Sequence, residues 1–181
     1  MTSAHSFVGT LTAALLLSGC SLVQGTMPAS TMYNPEILGL LTTIHSGEIE
    51  AGQLAKQAAS APQVRAFASR MVSEHQTMKQ NIDRMARDLD VQPHKPALAS
   101  TIEGIHQKTM EQLRAKSGSD FDKTYMAYEV KIHEHAVALV RKTKDSVSNQ
   151  EIQEELRNVR PHLQNHLAAA EYIEHEIVSQ P

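Results

Sequence analysis

The chain has 181 residues and a formal net charge of -3, from 17 lysines and arginines against 20 aspartates and glutamates. Charges of both signs are interspersed, which excludes the basic surface that a nucleic-acid-binding protein needs. The single cysteine excludes a disulfide within the chain, and 41% hydrophobic residues are enough for a domain with a sizeable core.

The N-terminal segment has the pattern of an export signal. An apolar run, Phe7 to Leu17, leads through Ser18 and Gly19 to Cys20. This pattern predicts a signal peptide with a lipobox at residues 1–19 and lipid attachment to Cys20, followed by a tether at 20–33. Serine after the cysteine is typical of sorting to the outer membrane, so we expect a lipoprotein that faces the periplasm and contacts the membrane through its lipid. The alternative is a plain cleaved signal and a soluble periplasmic protein.

From residue 34 to residue 178 the sequence is rich in Ala, Leu, Gln, Glu, Lys and Met, which predicts an all-α domain. Turn residues and prolines divide it into five helices, predicted at about 34–59, 62–89, 97–116, 120–146 and 149–178. The first and last connections are very short, so each flanking pair must form an antiparallel hairpin. Two hairpins joined by a crossover helix is the connectivity of a ferritin-like four-helix bundle. An up-down bundle with one added helix is the alternative.

Each of the four long helices carries an apolar seam with alternating steps of three and four residues, as a bundle core requires. One ionisable side chain interrupts each seam: Glu48, His75, His133 and His166. In an antiparallel hairpin, residues equidistant from the turn lie at the same height. Glu48 and His75 are thirteen and fourteen residues from Ala61, and the other two are fifteen and eighteen from Ser148. All four should therefore meet near the middle of the bundle.

Polar side chains that meet inside a core need partners, and a metal ion can satisfy all of them at once. Three histidines and one carboxylate suit a divalent transition metal such as Zn, Fe, Mn or Cu. The set therefore predicts a metal site made by Glu48, His75, His133 and His166. Groups that would orient these ligands, or bind a second ion, are Glu74, Glu129 and His162. The alternatives are a hydrogen-bonded cluster without metal, a cluster that acts as a pH switch, and seams rotated so that these residues face solvent or the crossover helix.

The remaining histidines lie off the seams or in a loop. We predict surface or rim positions for His45, His106, His135 and His175, and a loop position for His94. Glu103 and His106 have the spacing of a di-iron motif but stand alone in the crossover helix. Motifs for nucleophilic catalysis are missing from the sequence, which argues against a hydrolase and favours a protein that is not an enzyme.

Three stretches in order resemble the bacterial envelope family called domain of unknown function 4142: GEIEAGQLAKQAASAPQVRAFASRMVSEHQ, SGSDFDKTYMAYEVKIHEHAVAL and RPHLQNHLAAA. The resemblance covers about residues 34–172. It places family positions on Glu48, His75, His133 and His166, with Glu74 where aspartate is usual. It implies a ferritin-like bundle and an envelope location, and it carries no established activity.

Together these observations predict an envelope lipoprotein that binds a divalent transition metal, for sequestration or in a stress role. The alternative is a non-catalytic structural or interaction lipoprotein, with a metal-free or pH-sensitive cluster. The sequence names no protein partner and no oligomeric state.

Overall fold

The computed structural model describes residues 33–143 and 147–179. The predicted signal peptide, Cys20 and nearly all of the predicted tether lie outside these residues. Five helices are present: α1 (Asn34–Ala58), α2 (Pro62–Asp88), α3 (Ala97–Arg114), α4 (Gly118–Thr143) and α5 (Gln150–Ser179). The prediction of an all-α domain with five helices is confirmed. Over the described ranges, no helix is both long and apolar enough to cross a membrane.

The turn between α1 and α2 is fixed by a carboxylate from another helix. Asp122, in the first turns of α4, is buried and accepts hydrogen bonds from the backbone N–H groups of Ser60 (2.9 Å) and Ala61 (2.8 Å). The Ser60 hydroxyl donates to Asp122 Oδ2, the oxygen that also accepts from the Ala61 N–H. A buried carboxylate needs such donors, because an unpaired charge in a core is costly. The first hairpin is therefore tied to the second at this end of the bundle.

The connection from α2 to α3 crosses close to the start of α1. The His94 N–H donates to the Pro35 carbonyl at 2.8 Å. Gly39 permits this approach, because a Cβ there would lie 2.1 Å from the His94 carbonyl oxygen. The loop thereby leads α3 onto α1 and α4, which are its main neighbours.

The four long helices pack in a ring in which α1 contacts α2, α2 contacts α5, α5 contacts α4 and α4 contacts α1. Two large apolar clusters contain side chains from all four long helices, and a smaller third one joins Leu40 and Ile44 of α1 to Ala99 of α3. One surrounds Phe67, Met71 and Tyr125 near the α1–α2 turn. The other surrounds Ile82 and Leu156 toward the opposite end. Between them, at mid-height, lies the layer of polar side chains described next.

Candidate metal centre

The polar layer is made by one or two side chains from each long helix. Glu48 comes from α1, His75 from α2, Glu129 and His133 from α4, and His166 from α5. None is more than 1% exposed. The ionisable residues of the seams thus point inward at a common depth, as their distances from the hairpin turns predict.

The structure brings three of the four predicted ligands into one group. Nitrogens of His75, His133 and His166, one from each ring, all lie within 4.8 Å of one another. Glu48 belongs to a second group of the same size, with Glu129 and His133. His133 is therefore the residue common to both groups.

The three further predicted residues have different surroundings. Glu74 is half-buried and its Oε2 lies 2.6 Å from His166 Nε2. Glu129 is fully buried, and its Oε2 lies 3.4 Å from His133 Nδ1. His162 is exposed on α5, so the structure does not bring it to the layer.

Hydrogen-bond partners assign the tautomers of two of the rings. His133 Nδ1 lies 2.9 Å from the Glu129 backbone carbonyl, which can only accept, so Nδ1 carries the proton and Nε2 has the lone pair. His166 Nε2 faces the Glu74 carboxylate, so Nε2 carries the proton and Nδ1 has the lone pair. Each ring thus has its unprotonated nitrogen on the side facing the other ring.

These two unprotonated nitrogens, His133 Nε2 and His166 Nδ1, are 3.2 Å apart. Two facing lone pairs repel unless a cation lies within reach of both. An ion bonded to two imidazoles at about 2.0–2.1 Å with tetrahedral angles holds their nitrogens about 3.3 Å apart. The observed separation therefore suits two ligands of one metal ion.

His75 is the third histidine of the group, and its ring contacts His45, a residue that was not predicted to lie in the core. His75 Nδ1 lies 3.1 Å from His45 Nδ1, while His75 Nε2 is buried without a hydrogen-bond partner. If His75 donates through Nδ1, its Nε2 also has a free lone pair.

The prediction that His45 is a surface or rim residue is wrong, because its ring is 2% exposed. It lies on the side of α1 that faces α2, where its ring contacts the His75 ring.

The surroundings keep the His75 and His166 rings neutral. Burial, and then the neighbouring His45 ring, hold the pKa of His75 well below its usual range. Burial lowers the pKa of His166 to about 4, although the Glu74 carboxylate opposes this shift. For Glu74 itself burial raises the pKa, but hydrogen bonds from Arg70 and His166 outweigh burial and lower it. Neutral imidazole is the form that binds metal ions.

The carboxylates of Glu48 and Glu129 have unmet bonding capacity. Tyr128 Oη donates to Glu48 Oε1 at 3.0 Å, but Glu48 Oε2 and both Glu129 oxygens have no hydrogen-bond partner. Burial, and then the charge of Glu48, raise the pKa of Glu129 well above its usual range. Burial and nearby Glu129 likewise raise the pKa of Tyr125, whose hydroxyl lies near that carboxylate without a hydrogen bond of regular geometry. A cation here would satisfy the free oxygens and favour the ionised carboxylates.

A second missed histidine links the layer to the surface. His106 was predicted on the surface or rim, which is wrong, because it is 6% exposed between α3 and α1. Its Nδ1 lies 3.2 Å from Tyr128 Oη and its Nε2 lies 3.1 Å from Glu50 Oε2. The predictions for the other three histidines hold: His135 and His175 are exposed, and His94 lies in a loop.

The fold and the layer define an all-helical bundle protein with buried histidine and glutamate side chains that could hold a metal ion. The family model described as "Domain of unknown function (DUF4142)" matches residues 22–173. The chain belongs to this family, as the three sequence stretches predicted.

Among solved structures, the chain is similar to one described as "CopM in the Cu(II)-bound form". The TM-score is 0.63 at 11% identity, over 80% of this chain and 97% of that chain. At this identity the likeness shows the shared helical fold alone. No curated protein matches the chain.

Proposed function

We propose that this protein is an envelope lipoprotein whose ferritin-like bundle binds a divalent transition metal ion at the buried layer, for sequestration or in a stress role. The observation that carries the proposal is the pair of facing, unprotonated nitrogens of His133 and His166, 3.2 Å apart, with His75 beside them. Without a cation this arrangement leaves lone pairs opposed and His75 Nε2 unsatisfied. With one, each nitrogen gains a bond.

The charges and the ligand types favour particular ions among Zn, Fe, Mn and Cu. Three imidazoles suit Zn²⁺ and Cu²⁺ best. Glu48 can supply an oxygen ligand, since its side chain and those of His75 and His133 line one small void. Together with Glu129 it supplies two negative charges when both are ionised, which balance a divalent ion in a water-free core. Cu(II) in a similarly folded protein adds general support for copper.

The test is elemental analysis of untagged protein, purified without added metal or chelator and then titrated with Zn²⁺ and Cu²⁺ after chelator treatment. We expect close to one tightly bound ion per chain. A homogeneous, folded protein that binds neither ion at micromolar concentration would overturn the proposal. It would leave the layer as a metal-free Glu-His cluster in a structural or interaction protein.

The envelope location forms part of the same proposal and has its own test. If Cys20 is lipidated, Cys20→Ser should move the exported protein from the membrane fraction to the soluble periplasmic fraction. The change should also abolish labelling with a radioactive or clickable fatty acid. Unchanged fractionation of the Cys20→Ser protein would contradict lipid anchoring without affecting the metal proposal.

A further inference from the structure

A cavity of about 240 Å³ lies beside the candidate metal site, between α1, α3 and α4. Its lining combines hydroxyl, carboxylate and imidazole groups with a few apolar side chains, among them Thr42, Glu48, Glu50, Ile102, His106 and Tyr128. Glu50 is half-exposed, so the cavity has a carboxylate at its solvent side. The Thr42 hydroxyl, in the same wall, is buried without a hydrogen-bond partner. The cavity is thus a polar pocket that nothing described above explains.

A second, much smaller void lies on the inner side, against His75 and His133. It is too small to hold a water molecule. Three residues line both spaces: Ile44, Glu48 and Ile132. They form the wall between the cavity and the histidines, and Glu48 is its polar member.

We propose that the cavity is the route by which a divalent transition metal ion reaches the three histidines, and that Glu48 carries the ion across the wall. This inference rests on the proposed function, because it supplies that site with access. It also assigns the half-exposed Glu50 carboxylate as an outer site, which an arriving cation contacts first.

The contacts of Glu48 suit it to this transfer. Its Oε1 accepts one hydrogen bond, from Tyr128, and its Oε2 is free. A single hydrogen bond therefore holds the carboxylate, which lies within reach of the cavity on one side and of His133 on the other.

The outer site has the charge to attract a cation. Glu50 is half-exposed, and its Oε2 lies 3.1 Å from His106 Nε2. Arg114 also contacts Glu50, but through the other oxygen. A carboxylate at the mouth of a cavity with low-dielectric walls raises the local concentration of cations.

The decisive variant narrows the cavity without touching a ligand. Gly47 lines the cavity, and a Cβ there would lie 3.4 Å from the His106 ring, so the side chain of Gly47→Leu would fill space in front of Glu48. The matched control is Gly104→Leu, which makes the same change in a helix at a site with no atom within 4 Å of the added Cβ. Both variants exchange a helix-interior glycine for a better helix former.

Stopped-flow mixing of chelator-treated, untagged protein with Cu²⁺ measures the association rate, after equilibrium titration has established the stoichiometry. For Gly47→Leu we expect the association and dissociation rate constants to fall together by at least about tenfold, with Kd unchanged. Gly104→Leu should match the wild type. Equal rates in the two variants would overturn the route. A wild-type protein that binds no Cu²⁺ at equilibrium would overturn the proposed function itself, and the route with it.

A second variant keeps the inference testable if Gly47→Leu disturbs the fold. Glu50→Gln should slow Cu²⁺ association by about two- to fivefold at low ionic strength, with a smaller effect at high salt, because it removes the charge at the mouth. Glu111→Gln, an exposed change on α3 away from the cavity, is the control. No difference between these two proteins at low salt would contradict the outer site.

Discussion

Replacing His133 by alanine is expected to weaken binding of Zn²⁺ or Cu²⁺ about 1,000-fold. Structural Zn²⁺ sites bind with about 10–16 kcal/mol, so one of three imidazoles accounts for about 4 kcal/mol, which is about three orders of magnitude in Kd. His133 is the best single choice, because it belongs to both groups of candidate ligands. A competition titration against a chromophoric chelator measures the change.

The matched control for this prediction is His135→Ala. His135 lies on the same helix but is exposed, and its ring contacts the Lys131 carbonyl. That variant should bind as tightly as the wild type. If His133→Ala stays folded by circular dichroism and binds within about threefold of wild type, the ion binds elsewhere, since a lost imidazole ligand costs far more than that.

The metal-free protein is expected to lose several kcal/mol of folding stability between pH 7 and pH 5. Burial, and then electrostatic repulsion from His133, His166 and Lys79, lower the pKa of His45 from 6.5 to about 4. Because the folded-state pKa lies below the unfolded value, the unfolded chain binds more protons in this window, and stability falls as pH falls from 6.5 toward 4. His45 alone accounts for a loss of about 2 kcal/mol by pH 5.

His166 has the same direction of shift and also reaches about 4, so the two together predict a loss of about 4 kcal/mol by pH 5. Urea denaturation of the chelator-treated protein at several pH values measures it. His45→Phe should remove the His45 share of the pH dependence, whereas His175→Gln, at an exposed position, should leave it unchanged. A free energy of unfolding that is flat between about pH 5 and 7.5 would contradict the buried, neutral state of these rings.

Sequence patterns predicted most of the fold because helix starts and stops carry local chemical signals. Pro62 begins α2, and Asn149 caps α5 by accepting hydrogen bonds from the Glu151 and Ile152 amides at 2.9 and 3.1 Å. The predicted starts of α1, α2 and α3 agree with the observed ones, and the other ends that can be compared differ by one or two residues. The predicted end of α4, at residue 146, lies outside the described residues. The role of Asp122 was not predictable, because its partners lie about sixty residues away and only the packing of the hairpins brings them together.

The depth of the layer was predictable because antiparallel hairpins place residues of equal distance from the turn at equal height. That argument located Glu48, His75, His133 and His166. It could not separate the three histidines from the Glu48 group, since the separation depends on side-chain rotamers. It also included His162 as a group that could orient the ligands, although the structure shows that this side chain is exposed to solvent.

His45 and His106 were missed because seam counting assumes one buried face for each helix. His106 is buried where α3 covers α1. His45 is buried on the side of α1 that faces α2, where its ring contacts His75. The di-iron spacing of Glu103 and His106 is only a weak signal that His106 is buried, because no second pair with this spacing accompanies it in the long helices. The contact of His106 with Glu50 joins residues 56 apart and required the three-dimensional structure.

X-ray absorption spectroscopy at the edge of the bound metal tests the central claim most directly, since it counts the ligands of the ion in the native, untagged protein. For Zn²⁺ we predict about three imidazole nitrogens at about 2.0–2.1 Å with carboxylate oxygen completing the shell. The imidazole contribution should fall in His133→Ala. A shell made only of oxygen, or one dominated by methionine sulfur, would contradict the three-histidine site.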